Sequence, residues 1–275
     1  MTEYFIHTPQ SAAEFTTSLR ENSVEFLRFE LPDLAGLSRG KTVPIDHVES
    51  YVLNGLNLYG GTVTLDTNSI PVQGTGYNED VNFTDCLMVA DPATVSNVPW
   101  LANTARVICD TKWYDGRPQL AAPRTVLKKV IAAAAELGYG VKMGHEYEFY
   151  VVDLETRKPI YSGQPIFVTA IAHRYPQMEK LLRVLNASGV DMITANSEHG
   201  PGQWELNFAA LDGIAAADRA FVFMTSHRRR AGTVARNRPV RRQVGPQPSA
   251  FTRARAFSAV TLRGLASPQR ASTTR

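Results

Sequence analysis

Acidic residues are absent after Asp218 and lysines after Lys180, yet twelve arginines follow Met224. The first 224 residues hold all 26 acidic side chains against 17 basic ones, a balance of −9, while residues 225–275 carry +12. The formal charge of +3 therefore conceals two unlike compositions. No run of eighteen apolar residues occurs, so no membrane-spanning helix is expected. Met1–Gln10 has neither a basic start nor an apolar core, so a secretory leader is not expected either. The two cysteines, Cys86 and Cys109, lack metal-type spacing and read as reduced structural thiols in a cytoplasmic protein. Gly74-Thr75-Gly76 lacks the third glycine of a dinucleotide loop and reads as a flexible turn. What remains, 275 residues with 44% apolar and 20% charged content, is enough for one large or two medium globular domains.

The pattern along the chain begins with strands. Ser11–Glu21 reads as a short helix with Ser11 as cap. Ser23–Leu31 and Lys41–Pro44 flank a turn at Leu34-Ala35-Gly36-Leu37, the pattern of a hairpin. Leu87–Ala90 and Ala105–Asp110 are further strands, and Pro118–Pro123 is a linker. Residues 124–138 form the clearest helix, with Val126, Leu127, Val130, Ile131 and Ala134 at helical spacing and Gly138 as stop. Gln177–Ser188 is a second helix, Val190–Thr194 a strand, and Gly213–Met224 the start of a third helix.

Four glutamates carry the chemistry. In MGHEYEFYVV (143–152), strand alternation places Glu146 and Glu148 on one face and His145, Tyr147, Phe149 and Val151 on the other. Two strand rises separate the two carboxylates by roughly 6.6 Å, a spacing for neighbouring divalent cations rather than for a shared proton. Gln203–Phe208 also alternates, with Gln203, Glu205 and Asn207 opposite Trp204, Leu206 and Phe208. Glu198 precedes it on a loop bent by Gly200-Pro201-Gly202. Hard oxygen ligands of this kind select magnesium or manganese. The plainer alternative is the solvated face of a half-buried sheet.

GHEYEF, followed about fifty residues later by EHGPGQWELNF, resembles the paired signature of the glutamine synthetase family. FELPDLAGLSRGKTVP (29–44), TLDTNSI (64–70) and TDCLMVADP (84–92) resemble the family's opening hairpin, aspartate loop and following segment. The resemblance implies an α+β fold. Residues 1–118 would be the N-terminal β-grasp domain and 119–224 the first part of an α/β catalytic domain, with a disordered basic tail at 225–275. It implies ATP-dependent joining of the glutamate side-chain carboxylate to ammonia through a γ-glutamyl phosphate, with Mg²⁺ or Mn²⁺ as cofactor and ATP as co-substrate. By resemblance Glu148, Glu198 and Glu205 hold the metal nearest glutamate, and Glu146 ligates the ion that bridges ATP phosphates. Glu198 also lies near the incoming ammonium. Asp66 matches the aspartate that binds ammonium and helps deprotonate it, with Ser69 beside it at the substrate. The expected partners are glutamate, ammonia or a small amine, and further copies of the chain in a ring whose active sites are shared between subunits. The plainer reading of Asp66 is a local turn cap.

Departures from the family pattern bound these expectations. Ile193 stands where the family usually has a glutamate for nucleotide contact. Nothing after Met224 matches the family's later histidine, glutamate, arginines or glycine-rich loop, and His227 lies within an arginine run. The tail's composition is what a GC-rich coding region read out of frame gives, so a truncated or frameshifted and inactive ligase is expected. The alternatives are a γ-glutamyl–amine (polyamine or ethanolamine) ligase, a non-catalytic metal-binding relative, and a nucleic-acid-binding protein driven by the tail; nucleic acid is not the expected partner.

Overall fold

The computed structural model describes residues 7–153, 156–232 and 255–264. The chain opens with helix α1 (Pro9–Glu21), capped by Thr8 rather than Ser11. Thr8 and Ser11 bond each other's backbone reciprocally, so Ser11 occupies the third helical position and the helix starts earlier than its sequence suggests. Strands β1 (Phe26–Pro32) and β2 (Ser38–Pro44) form the expected hairpin, with Phe26 opposite Pro44. Helix α2 (Ile45–Asn54) and strand β3 (Leu56–Tyr59) follow, then β4 (Asp85–Asn97) and β5 (Thr104–Trp113). The sheet order is β2-β1-β5-β4-β3, with β1 and β5 parallel and the other pairs antiparallel. This is the arrangement of a β-grasp domain.

Strand β5 lies at the centre of that sheet and is buried on both faces. Ala105, Val107 and Cys109 enter the core beneath α1 and α2, together with Leu27, Phe29, Met88 and Val48. The alternate residues Arg106, Ile108 and Asp110 turn the other way, toward the second half of the chain, as strand alternation requires. Both cysteines are free and buried, and burial pushes the Cys86 thiol up to about 12, so both are inert packing groups.

The second half holds α3 (Pro123–Glu136), β6 (Tyr139–Tyr150), α4 (Thr169–Arg174), α5 (Pro176–Ala187), β7 (Met192–Ser197), β8 (Gln203–Phe208), β9 (Leu211–Asp212) and α6 (Gly213–Gly232). A last strand, β10 (Arg255–Gly264), pairs with β6. The sheet runs β10-β6-β8-β7, antiparallel throughout, and β9 pairs beside the start of β6. Tyr147, Phe149, Trp204, Leu206 and Phe208 line one face and pack on α5 (Met178, Leu181, Leu185) and α6 (Phe221, Val222, Phe223). The Tyr147 and Phe223 rings stack with centroids 4.3 Å apart. Each such side chain removed from water stabilises the fold by about 1.5–3 kcal/mol.

Helical spacing identified the apolar positions of α3 but not which way they turn: Val126 and Val130 are exposed, and Arg124 and Thr125 are the buried residues of this helix. Helix α6 does not stop at Met224 but continues to Gly232, and its last turns hold Arg228, Arg229 and Arg230. Cations are favoured near a helix C-terminus, so an arginine run extends this helix rather than ending it. Within the tail, the described segment Arg255–Gly264 is β10, paired antiparallel with β6. Residues 233–254 and 265–275 of the tail lie outside the described residues.

The two halves meet through buried charge. Arg124, at the start of α3, bonds Asp110 of β5 at 2.8 Å, Asp91 of β4 at 2.8 Å and Asp218 of α6 at 2.8 and 2.7 Å. Lys128, one turn on, pairs with Asp110. Arg106 on β5 bonds Thr225 of α6, ion-pairs with Glu30 and lies over the Trp100 ring.

Candidate functional site

The open face of the second sheet carries the polar set. Residues directly opposite in an antiparallel pair share a face, so the register decides which side chains meet. Glu148 of β6 is opposite Glu205 of β8, and Glu205 is opposite Asn196 of β7. The next row is Glu146, Asn207 and Thr194. Glu146 and Glu148 thus face away from Tyr147 and Phe149, as alternation required. His145 falls on the Tyr147 side, where its ring stacks at 5.7 Å on Tyr147, and burial first, then Arg219, lowers its pKa.

Glu198 reaches this row through a tight connection. The Glu198 N–H donates to the Gln203 carbonyl at 2.9 Å, and the Gln203 N–H to the Gly200 carbonyl at 3.0 Å. Gly202 sits at φ +73°, and a Cβ there would stand 2.6 Å from the Val151 carbonyl oxygen. Only glycine lets the turn press so closely on the end of β6. Ser197 Oγ donates to the Pro165 carbonyl at 2.6 Å, and the Tyr161 hydroxyl donates to the Gln203 carbonyl. Burial pushes Tyr161 up to about 12, so the phenol remains a donor.

The carboxylates are positioned by amides. Asn196 Nδ2 donates to Glu198 Oε1 at 3.0 Å and lies 3.5 Å from Glu205 Oε2. Gln203 Nε2 donates to Glu148 Oε2 at 2.6 Å, and Tyr150 reaches Gln203 Oε1 at 3.3 Å. Glu198 and Glu205 thus share Asn196 as a common neighbour. Burial first, then Glu198, raises the Glu205 pKa, against the lowering effect of Asn196. Sequence reasoning gave Asn196, Tyr161 and Gln203 no role; the sole sequence signal was that Asn196 and Gln203 flank Glu198 and Glu205.

Glu148, Glu198 and Glu205 are therefore brought to one patch, with Glu146 on the same strand face. Among the described side chains, which do not include those of β10, no ion pair joins a lysine or arginine to any of these four glutamates. Nor do three or more His, Cys, Asp or Glu side chains among those residues close into a metal cluster as they stand. Clustered carboxylate oxygens, oriented by the Asn196 and Gln203 amides, have the donor chemistry of a divalent-cation site, and in that sense the residues fit Mg²⁺ or Mn²⁺.

Asp66 and Ser69 are held elsewhere. Asp66 Oδ1 accepts from the Asn68 and Ile70 N–H groups, both at 2.8 Å, which is the local turn cap. Ser69 lies at φ +66°, and its Oγ accepts from Arg39 at 2.6 Å. Arg39 in turn pairs with Asp33 at 2.7 Å. All these partners belong to the first domain, so the structure does not bring Asp66 and Ser69 to the glutamates. Ile193 is 61% exposed at a register shift in β7, with no carboxylate to offer the site.

Residues 120–241 match the glutamine synthetase catalytic domain. The chain is 29% identical over 213 residues to lengsin of Rattus norvegicus, covering 75% of this chain and 37% of that protein. It is also 29% identical over 218 residues to a glutamate–isopropylamine ligase of Pseudomonas sp, covering 74% and 47% respectively. A crystal structure titled as a novel glutamine synthase homolog superposes with a TM-score of 0.71 at 21% identity, over 88% of this chain and 56% of that one. This last likeness speaks to the fold. The chain spans less than half the length of these two curated relatives. Among the described residues, no helix is long and apolar enough to cross a membrane.

Proposed function

We propose that this chain is a member of the glutamine synthetase family and carries the carboxylate face of an ATP-dependent ligase. The reaction joins the glutamate side-chain carboxylate to ammonia through a γ-glutamyl phosphate. The observation that carries this reading is the row Glu148–Glu205–Asn196, with Glu198 folded back onto it and no cationic side chain paired to it among the described side chains. Glu148, Glu198 and Glu205 would hold one Mg²⁺ or Mn²⁺, and Glu146 a second. Such an ion, when bound, neutralises negative charge where anionic glutamate meets anionic ATP.

The chain's own residues do the positioning. Asn196 fixes Glu198, Gln203 fixes Glu148, and Tyr161 pins the backbone of the turn that joins them. Glu205, whose pKa is raised by burial first, must be ionised to act as a ligand, so cation binding is coupled to its proton release. Glu198, at the rim of the turn, is the group nearest an incoming ammonium. Asp66 and Ser69 would serve the site of a neighbouring subunit in a ring of copies, which accounts for their distance in sequence and their separate domain. Within this reading residues 1–118 are the β-grasp domain, 119–224 the first part of the catalytic domain, and the chain works in the cytoplasm.

A second reading, a γ-glutamyl–amine ligase, is favoured by the isopropylamine-ligase relative. Phosphate release from ATP with glutamate and Mg²⁺, run with ammonium and with isopropylamine, separates the two. The chain alone is expected to turn over at background, because nothing after Met224 matches the family's later histidine, glutamate, arginines or glycine-rich loop. A chimera joining residues 1–224 to the remaining half of the isopropylamine-ligase relative is expected to turn over, and to lose that turnover in Glu205→Ala. Turnover unchanged by Glu205→Ala would overturn the reading.

A further inference from the structure

Helix α3 presents an apolar stripe to solvent. Val126 is 46% exposed, Val130 58% and Leu137, just past its end, 75%, and Ala133 between them is exposed too. The spacing of four, three and four residues places all four on one side of a helix. The helix's other apolar flank, with Leu127, Ile131 and Ala134, turns inward; Ile131 lies against the start of α6 at Gly213. The outward stripe is therefore a second seam and not the edge of the core.

Lys129 and Glu136 border this seam. They are seven residues apart, hence on the same flank, both are exposed, and neither is ion-paired among the described residues. When two helices pack antiparallel about a two-fold axis, each flank meets the same flank of its partner. A second copy of α3 laid antiparallel puts Val130 against the partner's Ala133, Val126 against the partner's Leu137, and Lys129 beside the partner's Glu136. Because the operation is two-fold, the charge pair occurs twice. The seam is thus complementary to itself in apolar character and in charge.

We propose that α3 is a self-association surface, through which two copies of this chain pair by antiparallel packing of the Val126–Val130–Ala133–Leu137 seam. The contact stands apart from the glutamate face and does not depend on ligase activity. One short helix per partner gives an interface at the small end of the range, so the dimer is weak and concentration-dependent.

Sedimentation velocity on the full chain over a wide concentration series tests this. Reversible, concentration-dependent association through this seam is expected, whether of single chains or of larger assemblies, and Val130→Glu should raise its dissociation constant at least about tenfold by setting two charges into the seam. Since Val130 is exposed, an unchanged circular-dichroism spectrum will show that the variant folds. Lys129→Glu and Glu136→Lys should each weaken association about two- to fivefold, and the double variant, which restores opposite charges across the axis, should recover it. A chain that stays monomeric at every concentration overturns the proposal. So does an association indifferent to Val130→Glu, or a double variant no better than the single ones.

Discussion

Replacing Arg124 by methionine isolates the joint between the two halves of the chain. Arg124 is 4% exposed and places four hydrogen bonds of 2.7–2.8 Å on three aspartates from β4, β5 and α6. Burial pulls its guanidinium pKa down, but Asp218, Asp110 and Asp91 outweigh this and raise it. Methionine keeps the volume and removes the charge, leaving Lys128 alone to face three carboxylates. Breaking a buried pair from one side costs about 3–5 kcal/mol, because the partner charges remain without compensation. For a protein of this size that corresponds to a fall of roughly 6–20 °C in Tm at pH 7. The loss should shrink as the pH falls. Asp218 already has a raised pKa, from burial first, and without Arg124 it rises further. An acid whose folded pKa lies above its unfolded value binds its proton more tightly when folded, so it stabilises at low pH and loses that contribution as pH rises through the folded value. The variant should therefore approach the parent between neutral pH and about pH 5, and Arg124→Met with Asp218→Asn should recover part of the loss at pH 7. Thermal unfolding by circular dichroism from pH 5 to 8 measures this. A loss under about 1 kcal/mol, or one that does not change with pH, would refute the role given to the cluster.

Glu205→Gln should raise Tm in metal-free buffer at pH 8 and flatten its pH dependence, since the parent loses stability as pH rises through the raised Glu205 pKa; differential scanning calorimetry checks this. Gly202→Ala forces a side chain into a left-handed backbone position against Val151 and should cost about 1–3 kcal/mol, read by urea unfolding. Tyr161→Phe removes only the donor to Gln203, so about 1 kcal/mol of stability is expected to go and Mn²⁺ affinity to fall several-fold, read by calorimetric titration.

Much of the glutamate face was legible because alternation is a local property. Tyr147 and Phe149 against Glu146 and Glu148, and Trp204, Leu206 and Phe208 against Glu205, fix the faces of two strands without tertiary information. The glycine-proline turn then dictates that the second strand follows Glu198 closely. Asn196 and Gln203 were not legible as positioning groups, because an amide has no pattern of its own and acquires a role only through register. Helix α3 shows the limit of periodicity: it has two apolar flanks, and spacing alone does not say which one meets α6. The Arg124 cluster was invisible, since Asp91, Asp110 and Asp218 are scattered over 128 positions and meet only after both sheets form. Helix α2 was missed for a simpler reason: it begins after Pro44 with no side-chain cap and runs only 10 residues.

Manganese titration of the chain, with variants of the four glutamates, tests the central claim most directly. The account predicts a weak Mn²⁺ site with proton release on binding. That site should be lost in Glu198→Ala and Glu205→Ala, strongly weakened in Glu148→Ala, and unchanged in Glu14→Ala, which lies on α1. Absence of binding by the parent chain, or affinity retained in Glu205→Ala, would contradict it and return the four glutamates to the solvated face of a sheet.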